Sequence, residues 1–343
     1  MAPLPHVSVI MGGPSTEHAV SLASGRMVFE ALDRSRYRVS ALVIHRDGRW
    51  ERTTDPAGVP LVPEGAPPRP RREEAIRGAA LLADVDLAFL ALHGTFGEDG
   101  TIQGFLETLG VPYTGSGRLA SALAMDKVMA KRVFRQAGLP VAAEILVDRA
   151  TWQADRSGVL AAVTALGPVV AIKPNVGGSS VGVSRAEGEA AAAEGLAAAL
   201  AVAPAALVEP WLDGAEITVA VLEDADGEPR PLPPVAIRPR RGRFFDFASK
   251  YETGGADEIC PAPLDPADAE SLGALALEAH RALGARGLSR ADFILTPGGP
   301  VLLEVNTLPG LTPNSLLPKA AAAAGLPFPR LVDRIVQRAL AAV

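Results

Sequence analysis

The chain has 343 residues, 33 basic and 39 acidic side chains, a net charge of −6 and a hydrophobic fraction of 48%. That length predicts two or three domains, and the mild acidity argues against nucleic acid as main partner, which would need a clustered basic face. A single cysteine, Cys260, excludes a disulfide framework or multi-cysteine metal site; no run reaches the roughly 18 apolar residues of a membrane span, and Met1–Met11 lacks a signal peptide's basic start, so a cytoplasmic protein is expected.

The first apolar run, His6 to Met11, is rich in β-branched residues and stops at Gly12-Gly13. Ser15 and Thr16 then open a helical pattern through Leu22 and Phe29. Strands are expected at Val39–Ile44 and Val85–Leu92, with a helix over Glu73–Leu82 between them. Strand–helix alternation predicts a parallel sheet, and Asp55–Arg72, dense in Pro, Gly and Arg, reads as a surface excursion.

From Gly115 the pattern changes. A helix is predicted over Leu119–Gln136, a strand over Ala142–Val147 and a helix over Thr151–Leu166. Strands Val169–Pro174 and Val181–Arg185 flank a glycine loop, and alanine-rich Glu187–Ala201 needs only helix propensity. Strands follow at Ala206–Pro210, Glu216–Leu222 and Pro234–Arg238. An irregular polar stretch, Phe244–Pro263, precedes a helix over Asp265–Leu283, a hairpin over Arg290–Asn306 and two terminal helices. The expectation is an α/β and α+β chain of three blocks, residues 1–115, 116–208 and 209–343.

Only five of the 33 basic residues are lysine, and asparagine occurs three times. Where Arg has displaced Lys so widely, each surviving Lys stands out, because the two are not interchangeable where a compact ammonium is needed.

The hairpin carries the sharpest chemical signal. A three-residue loop, Pro297-Gly298-Gly299, would place Asp292 opposite Glu304, with Cβ atoms about 4.5–5.5 Å apart. Asn306 shares Glu304's face. Two carboxylates and an amide supply the oxygen-only ligation that suits Mg²⁺ beside nucleotide phosphates; outward-pointing solvated charges are the other reading. In Lys173-Pro-Asn-Val-Gly-Gly-Ser-Ser-Val-Gly182, glycines let backbone N–H groups approach a phosphate, although a plain hairpin loop explains the segment as well. His93–Gly100 lies at the carboxyl end of a predicted parallel strand, where open α/β sheets bind ligands. Gly12-Gly13 with Ser15-Thr16-Glu17 occupies the corresponding end of the first strand, and helix capping alone would account for its hydroxyls. Thr312 as N-cap with Pro313 at the first helical position would begin a helix whose free N–H groups can hold an anion, or an ordinary capped helix.

In their order, these segments, with Met125-Asp-Lys127, Glu209–Glu216, Lys250-Tyr251 and Arg290–Asp292, resemble the D-alanine–D-alanine ligases of the ATP-grasp superfamily, and the match spans most of the chain. Lys127, Lys173 and Lys250 all fall on family positions. The resemblance implies a Rossmann-like N-terminal domain, with nucleotide held between the central and C-terminal blocks. It implies that ATP phosphorylates one D-alanine and that the amine of a second attacks the acyl phosphate. It places Lys127, Lys173, Gly178, Ser179, Ser180 and Val181 at the phosphates, and Glu209, Trp211, Leu212 and Glu216 at adenine and ribose. Asp292, Glu304 and Asn306 would hold two Mg²⁺, for which Mn²⁺ can substitute. Glu17 would bind the first ammonium in a cluster with Ser179 and Tyr251, with His93 nearby. Arg290 and Gly310 would stabilise the acyl phosphate and oxyanion, and Lys250, Ser315 and Leu316 would receive the second carboxylate. Phe244–Pro263 would be a closing loop. Tyr251, where D-lactate ligases typically carry His, favours an amine nucleophile and leaves D-serine open. Pro210 departs from the pattern, since it cannot donate a backbone hydrogen bond. A homodimer in the cytoplasm, feeding peptidoglycan synthesis, is implied; a non-catalytic nucleotide-binding module is the rival from another class.

Overall fold

The computed structural model describes residues 3–59, 72–178, 182–239 and 256–342. Strand His6–Gly12 pairs in parallel with Arg38–Ile44 and Leu87–Leu90, and its side chains divide between two cores with period two. Val7, Val9 and Met11 join Leu22 and Val28 of helix His18–Ala31 on one face. Ile10 joins Ile102 and Leu106 of helix Thr101–Leu109 on the other. Burial on both faces is why these strands read as continuous apolar runs. The strand expected over Val85–Leu92 is confined to Leu87–Leu90. Two elements are additional to the expectation, that helix and the antiparallel edge strand Trp50–Thr53; four residues are too few to show a period.

The second sheet is antiparallel, in the order Ile145–Asp148, Ala205–Pro210, Val169–Pro174, Ser184–Glu187. Helices Arg156–Leu166 and Glu189–Val202 cover it, and among the described residues its core draws only on those between Ile145 and Val208. The third sheet runs Ala256–Ile259, Val235–Pro239, Ala215–Glu223, Leu288–Thr296, Gly299–Asn306, with Pro229–Pro231 beside Ala215–Glu223. Helices Pro266–Ala282 and Lys127–Gln136 share its core. The last helix, Phe328–Leu340, crosses back to the first sheet, burying Leu331, Val332, Ile335 and Val336 against Val7 and Leu22. Among the described residues no helix is long and apolar enough to cross a membrane.

Several expectations are corrected. The helix over Leu119–Gln136 is two, Arg118–Met125 and Lys127–Gln136, because the Asp126 carboxylate accepts the Met129 N–H at 3.0 Å and caps the second. Asp155 likewise accepts the Gly158 N–H at 2.8 Å, dividing Arg149–Ala154 from Arg156–Leu166. The helix expected from Thr312 starts at Leu316 with Ser315 as N-cap, since a turn closed by the Ser315 N–H on the Thr312 carbonyl comes first. Within Phe244–Pro263, residues 244–255 lie outside the described set, and Ala256–Ile259 is a strand rather than irregular.

The hairpin reaches the expected pairing by another route. Thr296 pairs with Gly299, so the loop is the two residues Pro297-Gly298, and the register shifts by one between Asp292 and Phe293. This β-bulge, not a longer loop, sets Asp292 opposite Glu304. It also turns both Leu303 and Glu304 toward the same cavity.

Candidate active site

A cavity of about 520 Å³ is walled on one side by the second sheet and its loop, through Lys173, Gly177, Gly178 and Glu209–Leu212. On the other side it is walled by the third sheet, through Glu216, Arg238, Asp292, Leu303 and Glu304, with Lys127 at the join. The break at Asp126 explains how Lys127 comes there. A fresh helix N-terminus has orphan N–H groups: the Lys127 N–H donates to the Asn175 carbonyl and the Val128 N–H to Asn175 Oδ1, at 3.1 and 3.0 Å. The helix is thereby docked on the glycine loop, and Lys127 Nζ donates to the Gly177 carbonyl at 2.8 Å.

Three cations of the site, Lys127, Lys173 and Arg290, lie against carboxylates. Lys127 Nζ is 3.3 Å from Glu304, and Lys173 Nζ is 2.5 Å from Glu209. Arg290 grips Asp292 with both Nε and Nη2, at 2.8 and 2.7 Å, while Thr218 Oγ1 donates to the same carboxylate at 2.6 Å. Burial disfavours the charged forms of Lys173 and Arg290, but Glu209 and Asp292 respectively, with Glu304, outweigh it and raise both pKa values. Glu209 follows the same logic in reverse: burial pushes it up, and the charges of Lys173 and Lys131 carry it below the usual carboxylate range. Asp292 and Glu304 face each other across the bulged hairpin with Asn306 along the same strand, an oxygen-only donor set of the kind hard cations require. Asn306 Oδ1 here accepts the Leu308 N–H at 2.9 Å. Among the described residues no three His, Cys, Asp or Glu side chains converge, so such a set needs the amide.

The first sheet contributes Glu17, at the start of helix His18–Ala31. Its Oε2 lies so close to Gly94 and Gly178 that a Cβ added at either would come within 2.7 or 2.8 Å of it. Gly94 also has φ 72°, which glycine adopts without strain. Glu17 thus sits between a glycine that follows a strand of the first sheet and one in the loop of the second. His93 is buried, with Nε2 on Ser24 Oγ (2.9 Å) and Nδ1 on the Leu308 carbonyl (3.1 Å). Burial lowers its pKa against the pull of Glu17 and Leu308. Both ring nitrogens are engaged within the chain, and they tie the Leu308 turn to Ser24 of helix His18–Ala31. Glu98 accepts the Gly94 N–H at 2.7 Å through Oε2, and burial, then the charge of Glu17, pushes its pKa well up.

After the hairpin, Gly310 lies against Ser315, whose Oγ would be 2.7 Å from a Cβ there. Thr312 donates its N–H to that hydroxyl at 3.2 Å, and helix Leu316–Ala323 begins immediately after. Of the remaining site residues expected from the sequence, Trp211 and Leu212 line the cavity; Ser179, Ser180, Val181, Lys250 and Tyr251 lie outside the described residues. Residues that the sequence reading passed over include Lys131, whose ammonium contacts Glu209, and Thr218. The scarcity of lysine is the signal that could have found Lys131; nothing in the pattern marks the Thr218 hydroxyl.

Two family models match, D-ala D-ala ligase N-terminus over residues 6–116 and D-ala D-ala ligase C-terminus over residues 133–337. The chain belongs to the D-alanine–D-alanine ligase family. It is 38% identical to the D-alanine–D-alanine ligase of Leptospira interrogans over 341 residues, covering 96% of this chain and 97% of that one. Its identity to the Mycolicibacterium smegmatis ligase is 39% over 359 residues, 98% and 95% of the two chains. Among solved structures, the Coxiella burnetii D-alanine–D-alanine ligase superposes with a TM-score of 0.83 at 27% identity, over 99% of this chain and 95% of that one. The VanG D-Ala:D-Ser ligase of Enterococcus faecalis gives 0.82 at 29%, covering 98% and 99%. The Bacillus anthracis ligase complexed with ATP gives 0.78 at 29%, covering 98% of each. The fold is thus that of the ATP-grasp ligases of this family.

Proposed function

We propose that the chain joins two D-alanines into D-alanyl-D-alanine, consuming ATP through a D-alanyl phosphate. The observation that carries this reading is family membership over nearly the full length, met by a cavity whose walls hold the cations and carboxylates that phosphoryl transfer needs. ATP would lie between the second and third sheets, adenine and ribose against Glu209, Trp211, Leu212 and Glu216. Lys127, Lys173, Gly178, Ser179, Ser180 and Val181 would take the phosphates, supplying the charge neutralisation that dominates this chemistry. Asp292, Glu304 and Asn306 would hold two Mg²⁺, or Mn²⁺ in their place, which would neutralise phosphate charge.

A carboxylate oxygen of the first D-alanine, its ammonium held by Glu17 with Ser179 and Tyr251, attacks the γ-phosphorus, and ADP leaves. The second D-alanine, its carboxylate received by Lys250, Ser315 and the helix end at Leu316, loses a proton from its ammonium and attacks the acyl carbon. Arg290 and the Gly310 N–H would face the oxyanion created when the C–N bond forms; its collapse breaks the acyl C–O bond and releases phosphate, the ammonium's proton and the nitrogen's second proton passing to solvent or the departing phosphate. His93 and Ser24 hold the Leu308–Leu311 segment that carries Gly310. Three blocks, residues 1–115, 116–208 and 209–343, are supported by the three sheets. A homodimer through the N-terminal block, and a cytoplasmic place ahead of peptidoglycan assembly, rest on the family resemblance.

Phosphate release from Mg-ATP tests the reading, with D-alanine alone, with L-alanine, and with D-alanine mixed with D-serine or D-lactate, products being identified by mass. Dipeptide from D-alanine alone is expected. ATP binding without turnover on any D-amino acid would overturn it. The structural likeness to a D-Ala:D-Ser ligase is the reason for the D-serine mixture, in which D-alanyl-D-alanine should remain the main product.

A further inference from the structure

The cavity wall is backed by a cation that the proposed reaction does not use. Lys131 lies one turn beyond Lys127 on the same helix, and its side chain is 1% exposed. Its ammonium contacts Glu209 Oε1 and lies 3.3 Å from Glu144 Oε2. The other Glu209 oxygen takes Lys173 at 2.5 Å. One buried carboxylate therefore sits between two lysines, of which Lys173 borders the cavity and Lys131 does not. Glu144 has a second cation of its own, Arg135 Nη2 at 2.5 Å, so neutralising Glu144 does not require Lys131. A buried ammonium is tolerated only when paired and hydrogen-bonded, and the partner here is a residue of the nucleotide wall.

The two lysines differ in what they are free to do. If Lys173 turns to a phosphate, Glu209 loses one counter-charge while it stays buried, and a buried carboxylate without a counter-charge is heavily penalised. With Lys131 behind it, the carboxylate keeps a partner throughout. We propose that Lys131 is a positioning residue for nucleotide binding, holding the Glu209 carboxylate ionised at the cavity wall so that Lys173 is released to a phosphate group. This rests on the assignment of Lys173 and Glu209 to the nucleotide given above.

The test compares ATP affinity by calorimetry, with KM and kcat, for wild type, Lys131→Met, Glu209→Gln, the double variant, Lys173→Met and Glu144→Gln. In Lys131→Met, Glu209 keeps Lys173 and Glu144 keeps Arg135, so the fold has no bare buried charge. Lys173 is then retained on Glu209, and ATP Kd and KM should rise on the order of tenfold, the loss expected for one charged hydrogen bond, with kcat within about threefold. In the Glu209→Gln background the same change should cost less than about twofold, and Glu144→Gln, which keeps the Lys131–Glu209 contact, should also stay within about twofold. If Lys131→Met does not fold, Lys131→Gln, uncharged but able to hydrogen-bond, replaces it with the same expectation. Unchanged ATP affinity in the Lys131 variant, or an equal loss with and without Glu209, would overturn the proposal. Loss in Glu209→Gln and Lys173→Met with none in the Lys131 variant sinks this inference alone; wild-type affinity in both of those variants sinks the site assignment and this inference together.

Discussion

Two carboxylates, Glu17 and Glu98, meet beside Gly94, and burial separates them. Glu98 is 8% exposed; one oxygen takes the Gly94 N–H and the other, Oε1, is buried with no hydrogen-bond partner among the described residues. Burial and the charge of Glu17 raise its pKa well above the ordinary glutamate value of 4.5. A folded-state pKa above the unfolded one means that the fold prefers the protonated acid. The stability that the proton confers is fully present below pH 4.5 and is lost as pH rises through the folded pKa. Glu98→Gln imitates the neutral acid at every pH and can still accept from Gly94. It should therefore be more stable than wild type at pH 8, with the gap closing steadily as pH falls toward 5. Denaturant unfolding of both proteins across that range measures this, and a gap that widens on acidification would contradict the direction of the shift.

At the scale of the element, the break at Asp126 does more than end a helix. It creates an N-terminus whose first three N–H groups go to the Asn175 carbonyl, Asn175 Oδ1 and Asp126 Oδ1. Two of those three partners belong to the strand end that opens the glycine loop, so the position of Lys127 depends on Asn175. Asn175→Ala would leave the buried Val128 N–H without a partner, at a cost of about 1–3 kcal/mol, and should raise the ATP KM severalfold. Asp126→Ala loses an ordinary cap, about 1 kcal/mol, with little change in KM. Chemical denaturation and steady-state kinetics on the pair would separate them; equal KM values would break the link to Lys127. Sequence periodicity ran straight through Asp126, because small apolar residues continue on both sides and the partner that makes the break useful lies about fifty residues on, at Asn175. The hairpin shows a different kind of legibility. The pairing of Asp292 with Glu304 was readable because two apolar strands flank one tight loop, yet the bulge that produces it was not, since a three-residue loop and a two-residue loop with a bulge give the same partner. The three parallel strands of the first sheet were legible because burial on both faces leaves apolar runs broken only by the small side chains of Ser8 and Ser40, whereas Trp50–Thr53 was too short to show a pattern. The roles of Glu17, Lys173 and Arg290 came from family resemblance, as no period marks them. The burial of Glu98 and the placing of Lys131 behind Glu209 depend on contacts between segments far apart in sequence, where local pattern carries no information.

Across the whole molecule, the cores are not divided alike. The second sheet closes its own core, whereas the first borrows from the chain's end. Leu331, Val332, Ile335 and Val336 are each at most 3% exposed and pack with Val7, Val9 and Leu22. Polar ties fix the helix on both sides: Tyr37 Oη, just before the second strand of the first sheet, donates to Asp333 at 2.8 Å, and Arg338 reaches buried Glu223 of the third sheet at 2.5 Å. At about 1.5–3 kcal/mol for each fully buried aliphatic side chain, the four contribute on the order of 6–12 kcal/mol, an upper estimate because the unfolded chain is partly collapsed. That is comparable with the roughly 5–15 kcal/mol that separates a folded domain from its unfolded state. Removing the residues after Gly325 should therefore unfold the first sheet, and with it the Glu17 and His93 side of the site, while leaving the second sheet's core without a missing contact. Limited proteolysis of the truncated chain, read by mass, should degrade the N-terminal block early and leave a protected fragment spanning residues 145–208. A truncated chain that resists cleavage throughout, with a single cooperative transition at the full-length Tm, would show that the last helix merely covers the first sheet without holding it.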